Sequence, residues 1–204
     1  ILVERVQVEQ DDRVLFKILR ALTQMRQTGR DGPFDRAALL GRTQALVEQA
    51  VTALAWRLCI AAYLDRFDEA NTPAAQLLLQ LTEEKEQGAL YRAFRLFSVI
   101  EPSDDLRMVY FGLRSEDAKT RASSRELLSH VVDPPVRDLM SCLVDDLPDE
   151  ARLDAARAAY EPPHYAAFTA ALDTGDDAVQ RAYAALLRDV REEPNGTLRG
   201  VAGH

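Results

Sequence analysis

The sequence predicts an all-α fold. Apolar residues recur every three or four positions, as they do along one face of a helix, and no segment alternates apolar with polar residues as a strand would. Clusters of Pro, Gly, Asp and Ser separate these segments, as they commonly do between helices. We expect antiparallel helical hairpins stacked as an α-solenoid, with two long helices in the N-terminal half.

Two elements are predicted before the first Gly- and Pro-rich break at 29–33. Residues 1–10 form either the end of a helix or a short edge element. Asp11 or Asp12 is then expected to cap a helix, because an aspartate carboxylate can accept hydrogen bonds from the free N–H groups of the first turn. This helix ends near Gly29, where the sequence GlyArgAspGlyPro at 29–33 places two glycines and a proline within five residues.

The longest uninterrupted helix is predicted from 35 to 67, a range with no proline and one glycine, Gly41. Between Val51 and Leu64 the residues are apolar on nearly every side. A helix of this kind must be covered on more than one side, so we expect it to be the central helix of its half.

A second long helix is predicted from 73 to about Val99. Thr72 stands as its N-cap, and Pro73 occupies the first helical position, where the missing N–H of proline has no partner to lose. Gly88 follows a polar stretch and costs about 1 kcal/mol in a helix interior. We therefore expect the helix to bend or break at Gly88.

The remaining helices are shorter. We predict them at 104–113, 117–132, 135–146, 148–160, 163–173 and 177–191. The chain then consists of a long-helix half (1–102), a short-helix half (103–192) and a flexible tail (193–204), or else the two halves form one continuous domain.

A faint repeat supports the solenoid. The loop residues Asp11, Asp117 and Asp176 precede three helices with similar apolar positions. Their unequal spacing indicates a decayed or interrupted array.

The charge of the chain argues against nucleic acid as a partner. The net charge is −8 and the sequence pI is near 5.0, whereas phosphate binding depends on clustered Lys and Arg. Only Lys17, Lys85 and Lys119 are lysines, so nearly all positive charge is guanidinium, which favours fixed pairing with carboxylates. A GC-rich genome would produce the same bias.

The two cysteines, Cys59 and Cys142, lie among apolar residues, as small core residues do, and a disulfide framework is not expected. Charge-free stretches such as 72–82 are shorter than the roughly 20 residues that cross a bilayer, so we expect no transmembrane segment. Because the sequence starts at Ile1 without an initiator Met, we expect it to be a piece of a longer protein.

Residues 89–146 resemble a known family. The motifs that carry the resemblance are AlaPheArgLeuPhe at 93–97, AspLeuArgMetValTyrPheGlyLeuArgSer at 105–115, ArgAlaSerSerArgGluLeuLeu at 121–128 and AspProProValArgAspLeuMet at 133–140. They are similar to a HEAT-like helical-repeat domain, the C-terminal soluble part of bacterial membrane proteins that resemble nucleotide translocases or facilitator-type carriers. The resemblance implies a cytoplasm-facing scaffold or regulatory domain with no catalytic residues, and it does not extend to the helices after 148.

No pattern in the sequence predicts a catalytic, metal or cofactor site. Nucleophilic catalysis needs a base beside a Ser or Cys, but His130 is expected at a helix C-terminus, His164 in a proline-rich turn and His204 at the chain end. The acidic cluster at 145–150 lacks the spacing of a calcium loop and indicates a solvated helix junction. No glycine-rich phosphate loop occurs. We expect no enzyme activity and no cofactor.

Four arginines are the candidate interaction residues. Arg107, Arg114 and Arg121 are seven residues apart, and Arg125 follows four residues later. Asp117 stands four residues before Arg121, so these side chains form either an Asp–Arg ladder between repeats or a basic docking strip on an acidic surface.

Six aromatic residues stand at helical spacing and are expected to pack in the core. They are Trp56, Tyr63, Phe94, Phe97, Tyr110 and Phe111. An apolar pocket between the two long helices is the alternative.

These observations predict a non-catalytic scaffold or regulatory domain. Its partner would be a protein or the remainder of its own longer chain, in the cytoplasm and attached to a membrane through a missing N-terminal part. The alternatives are a ligand-sensing helical bundle with its pocket between the long helices, and an enzyme that uses carboxylates and arginines alone.

Overall fold

The computed structural model describes residues 2–9, 11–28, 35–66, 71–101 and 106–163, and these residues are helical with no strand among them. This confirms the all-α prediction. The helices are α1 (Leu2–Val8), α2 (Asp12–Gln27), α3 (Arg36–Arg66), α4 (Pro73–Ile100), α5 (Leu106–Gly112), α6 (Ala118–Val131), α7 (Val136–Leu143) and α8 (Asp149–Arg157).

The predicted helix starts are confirmed by their capping bonds. The Asp11 carboxylate accepts hydrogen bonds from the backbone N–H of Arg13 at 2.8 Å and of Val14 at 3.0 Å. The Thr72 hydroxyl accepts one from Ala75 N–H at 3.3 Å, and Pro73 is the first residue of α4. Local capping chemistry therefore sets where α2 and α4 begin.

Two further predictions, one about the N-terminal segment and one about α4, have different outcomes. Residues 2–8 are helical, so the helix alternative for the N-terminal segment is confirmed. Of the bend or break expected at Gly88, the break is wrong, because α4 continues through Gly88 to Ile100. The next residues, Ala89 and Leu90, are buried, and this packing outweighs the low helix propensity of glycine.

The short helices α5 to α8 lie within the predicted ranges. α7 and α8 depart most from their ranges, since they end at Leu143 and Arg157 and not at 146 and 160. The helices predicted at 163–173 and 177–191, together with the tail at 193–204, fall outside the described residues.

The centre of the fold is the antiparallel pair of α3 and α4, which pack against each other more extensively than any other two helices. One cluster of buried apolar side chains runs from this pair through all eight helices. A second, smaller cluster at the far end of the pair contains Ile60, Leu64, Ala75 and Leu78, with Trp56 and Tyr63 packed beside it. The main cluster crosses the boundary that we placed at residue 102.

Most of the aromatic residues pack as expected. Phe94, Phe97 and Tyr110 are buried, and Trp56 and Tyr63 are half-buried. The core prediction is wrong for Phe111, which is 53% exposed. Its neighbour Tyr110 takes the inward position, and adjacent residues of a helix point about 100° apart, so both cannot face the core.

One described helix, α3, is long and apolar enough to cross a bilayer by length and composition. We did not expect such a segment because we considered only charge-free stretches, whereas α3 carries Arg57 within its apolar part. Half of the stretch is buried inside the protein, and the core helix of a soluble protein passes the same test.

Two helical glycines provide a matched test of the packing of α5 on α6. A Cβ added at Gly41 meets nothing within 4 Å, so Gly41→Ala should raise the free energy of unfolding by about 0.5–1 kcal/mol through helix propensity. A Cβ at Gly112 would collide with Ser124 Oγ and lie 3.3 Å from Ser124 Cβ. We therefore expect Gly112→Ala not to raise the free energy of unfolding as Gly41→Ala does. Gly112→Ala combined with Ser124→Ala should recover much of that increase.

Urea unfolding of the single and double variants measures these differences. An equal gain at both glycines would show that α5 and α6 do not approach each other closely at Gly112.

Candidate functional site

The four candidate arginines are placed in three different settings. Arg107 lies in α5, and its side chain is outside the described part of the structure. Arg114 follows α5 and lies over the ring of Tyr110, with its Cζ 4.1 Å from the ring centroid. Arg121 and Arg125 lie in α6 and pair with Asp146 and Asp145 after α7.

Arg121 links the loop before α6 to the loop after α7 through hydrogen bonds. Its Nε donates to Asp146 Oδ2 at 3.0 Å, and its Nη1 donates to the backbone oxygens of Ser115 at 2.7 Å and Glu116 at 2.8 Å. Asp117, the partner expected from sequence, caps α6 instead by accepting from Thr120 N–H at 2.9 Å. Hydrogen bonds from the Thr120 hydroxyl and backbone N–H lower the pKa of Asp117.

Arg125 extends this link, with its Nη2 3.1 Å from Asp146 and 3.3 Å from Asp145. The ion pairs of Arg121 and Arg125 join α6 to the segment after α7, as an inter-repeat ladder would. The side chain of Arg114, by contrast, forms no ion pair or hydrogen bond with any described residue. Burial lowers the pKa of its guanidinium, and the Glu86 carboxylate acts in the opposite direction.

A buried cluster of four charges joins the two long helices to α8. Glu86 of α4 is 5% exposed and accepts from Arg57 of α3, through Nε at 3.1 Å and Nη2 at 3.0 Å. Arg57 Nη1 lies 2.6 Å from Asp149, and Asp149 also pairs with Arg152. Arg152 Nη1 lies 3.5 Å from Glu86 and donates to the backbone oxygen of Leu143 at 2.7 Å.

The two carboxyl groups of this cluster respond differently to their surroundings. Burial raises the pKa of Glu86, although the charges of Arg57 and Arg152 limit the rise. Burial acts in the same direction on Asp149, but hydrogen bonds from Arg57 and Arg152 outweigh it and lower the pKa of Asp149. With two positive and two negative groups, the cluster is balanced, and each group is occupied by its neighbours.

Sequence reasoning missed this cluster. It treated residues 145–150 as a solvated junction, which is wrong for the half-buried Asp149. One signal was present, since Arg57 is the only charged residue between Val51 and Leu64 and a charge inside an apolar helix requires a partner. The identity of that partner, Glu86, depends on how α3 packs against α4.

Three aromatic rings form a continuous surface that crosses three helices. We call these three side chains the aromatic row: Phe16 of α2, Tyr91 of α4 and Phe111 of α5. The ring centroid of Tyr91 lies 6.5 Å from that of Phe16 and 6.3 Å from that of Phe111. Phe16 is 37% exposed, and Tyr110 packs beneath the row at 4.9 Å from Tyr91.

The surface also has two open grooves. One, of about 470 Å3, lies on α5 and α6 and is lined by Met108, Leu127, Lys119 and three Ser and Thr residues among others. The other, of about 640 Å3, lies between α3 and α4. Its lining mixes Leu77 and Ala61 with Arg57 and Glu83, so it differs from the apolar pocket that we expected between the long helices.

The other sequence candidates occupy ordinary positions. His130 lies exposed at the end of α6, with Nδ1 3.2 Å from the Ser129 hydroxyl. Cys59 and Cys142 are half-buried thiols, and burial raises the pKa of both. His164 and His204 lie outside the described residues. In the described part of the chain, no group of three or more His, Cys, Asp or Glu side chains is placed to hold a metal ion.

Comparisons with protein-family models, with curated proteins and with solved structures give no match to this chain. The resemblance to a HEAT-like domain stays a prediction from the motifs between 89 and 146, and none of these comparisons supports it.

The buried cluster can be tested by a double-mutant cycle. Glu86→Leu alone should lower the free energy of unfolding by about 3–5 kcal/mol, because it removes a partner from Arg57 and Arg152 inside the protein. Arg57→Met alone should also destabilise the protein, and the variant with both changes should lose much less than the sum of the two, since Arg152 and Asp149 still pair with each other. Urea unfolding measures the coupling, and additive effects would show that Arg57 and Glu86 do not interact.

The pKa of Asp149 predicts a specific pH dependence. Because its folded value is lowered from the ordinary 3.8, the carboxylate should contribute stability above pH 3.8 and lose it as the pH falls through the folded value. The difference in unfolding free energy between wild type and Asp149→Asn should therefore be constant near neutral pH and shrink below pH 3.8. A constant difference down to pH 2 would contradict this linkage.

Proposed function

We propose that the chain is a non-catalytic docking module whose protein partner binds on the outer face of α5 and α6. The observation that supports this most directly is the exposure of three large apolar side chains there: Met108 is 59% exposed, Phe111 53% and Leu127 40%. Met108 and Leu127 line the groove of about 470 Å3. Clustered apolar side chains on a surface commonly mark an interaction site.

The arrangement of the helices also supports a docking role. From α5 to α7, each helix packs against the next one in the chain, as expected for consecutive helical hairpins. We propose that these are HEAT-like units, in which the outer side chains are free to specialise while the inner ones hold the stack. The ion pairs of Arg121 and Arg125 with Asp145 and Asp146 serve this stack.

Part of the predicted basic strip is therefore structural. We assign Arg121 and Arg125 to stability and keep Arg114, with Arg107, as candidates for contact with the partner. We further propose, from the family resemblance, that the module belongs to a larger membrane-associated protein and faces the cytoplasm.

The alternative, a ligand-sensing bundle, has weaker support. Its groove between α3 and α4 is open and lined partly by Arg57, Gln80 and Glu83, and the interface beneath it is filled by buried side chains.

Site-specific photocrosslinking tests the docking face. A photoreactive phenylalanine at Met108 or Leu127 should capture a partner in cells, while the same group at Leu77, an equally exposed position on α4, should not. The captured protein is then purified, and its affinity is measured for the wild type and for Arg107→Glu with Arg114→Glu.

The double charge reversal should weaken binding about tenfold or more with little change in melting temperature. Arg121→Glu should instead lower the melting temperature, because it breaks three hydrogen bonds. Wild-type affinity in a fully folded double variant, or equal capture from Leu77, would contradict docking on this face.

A further inference from the structure

We infer that the aromatic row and the arginines beside it bind an acidic peptide segment, in which an aromatic or aliphatic side chain is flanked by Asp or Glu. This inference rests on the proposed docking function and names the chemistry of the partner. It begins from the aromatic row, which joins the docking face at Phe111 and extends it across Tyr91 to Phe16.

The first observation is that two guanidinium groups are held on this surface by aromatic rings. Arg95 lies with its Cζ 4.9 Å from the Phe16 centroid and 5.7 Å from the Tyr91 centroid, and it donates to the Tyr91 hydroxyl at 3.2 Å. Arg114 lies over Tyr110. Arg114 is exposed, so stacking leaves its edge N–H groups available for a carboxylate, whereas the buried Arg95 contributes its positive charge beside the rings.

The second observation is that neither group has a carboxylate partner among the described residues. Arg95 is 9% exposed, and its only polar contact there is the Tyr91 hydroxyl. Other arginines of the described chain, such as Arg57, Arg121 and Arg152, pair with carboxylates. In a chain with an excess of acidic residues, these two guanidiniums lie against aromatic rings, and no described carboxylate pairs with their positive charge.

The third observation is the charge next to Phe16. Arg13 and Arg20 stand three residues before and four residues after it, so all three share one face of α2. Both arginines are exposed, and neither forms an ion pair with a described residue. The surface around the aromatic row is therefore positive, while the whole chain has a net charge of −8.

These features fit an acidic peptide better than a nucleic acid. A short peptide with two or three carboxylates pairs with this local charge, and its apolar side chain can pack on the exposed rings, as anchor residues do at interfaces. A longer polyanion would also meet the acidic remainder of the chain, which repels it.

The test selects peptides from a random 12-residue library displayed on phage, with the purified chain as bait. Selected peptides should be enriched in Asp and Glu next to Phe, Tyr, Trp or Leu. Their affinities are then measured by fluorescence anisotropy for the wild type and for six variants that are first shown to be folded. The same assay is run with a 12-nucleotide single-stranded RNA.

We expect Arg114→Glu and Phe111→Ala each to weaken binding about tenfold. Arg20→Glu changes only an exposed side chain and should weaken binding about threefold, with a smaller dependence on salt. Arg137→Glu, the same charge change on α7, should leave the affinity within about twofold.

Three results would overturn the inference: selected peptides without an excess of acidic residues, unchanged affinity in both Arg114→Glu and Arg20→Glu, or tighter binding of the RNA than of the peptides. If the selected peptides lose binding through Met108→Glu or Leu127→Glu but not through the arginine changes, the docking function is supported and the inference of an acidic peptide is overturned. The absence of any enriched peptide would count against both.

Discussion

The ion cluster of Arg57, Glu86, Asp149 and Arg152 is the constraint on which the arrangement of the helices depends. Apolar packing between α3 and α4 is extensive, but the hydrophobic effect itself is non-directional. The bonds from Arg57 to Glu86 add a directional restraint on how the two helices align, since each has a fixed geometry. Asp149 and Arg152 then bring α8 to the same point, so the N-terminal and C-terminal helices share one anchor.

Charge is used in two ways in this protein. Where guanidinium groups face carboxylates, as at Arg57, Arg121 and Arg152, they link segments that are distant in sequence. Where they face aromatic rings, as at Arg95 and Arg114, they are held in place without being neutralised. The first use neutralises the charge in folding, and the second leaves it without a carboxylate partner among the described residues.

The sequence predicted the local features of the fold and missed the distant ones. Caps at Asp11 and Thr72 depend on residues two or three positions away, so they could be placed from the sequence. The break at Gly88 and the core position of Phe111 were wrong because packing against other helices decides both. The pairing of Arg121 with Asp146 instead of Asp117, and the whole buried cluster, join residues that only the tertiary structure brings together.

Arg57 also restricts the environments that α3 can occupy. The helix is apolar enough for a bilayer, but an arginine near the middle of a spanning segment costs about 2.5–3.5 kcal/mol during insertion. In the folded protein the same charge is matched by Glu86 and Asp149, which belong to other helices. A newly made α3 could therefore either enter lipid or pack against α4, and Arg57, the one charged residue between Val51 and Leu64, favours packing once Glu86 has been synthesised.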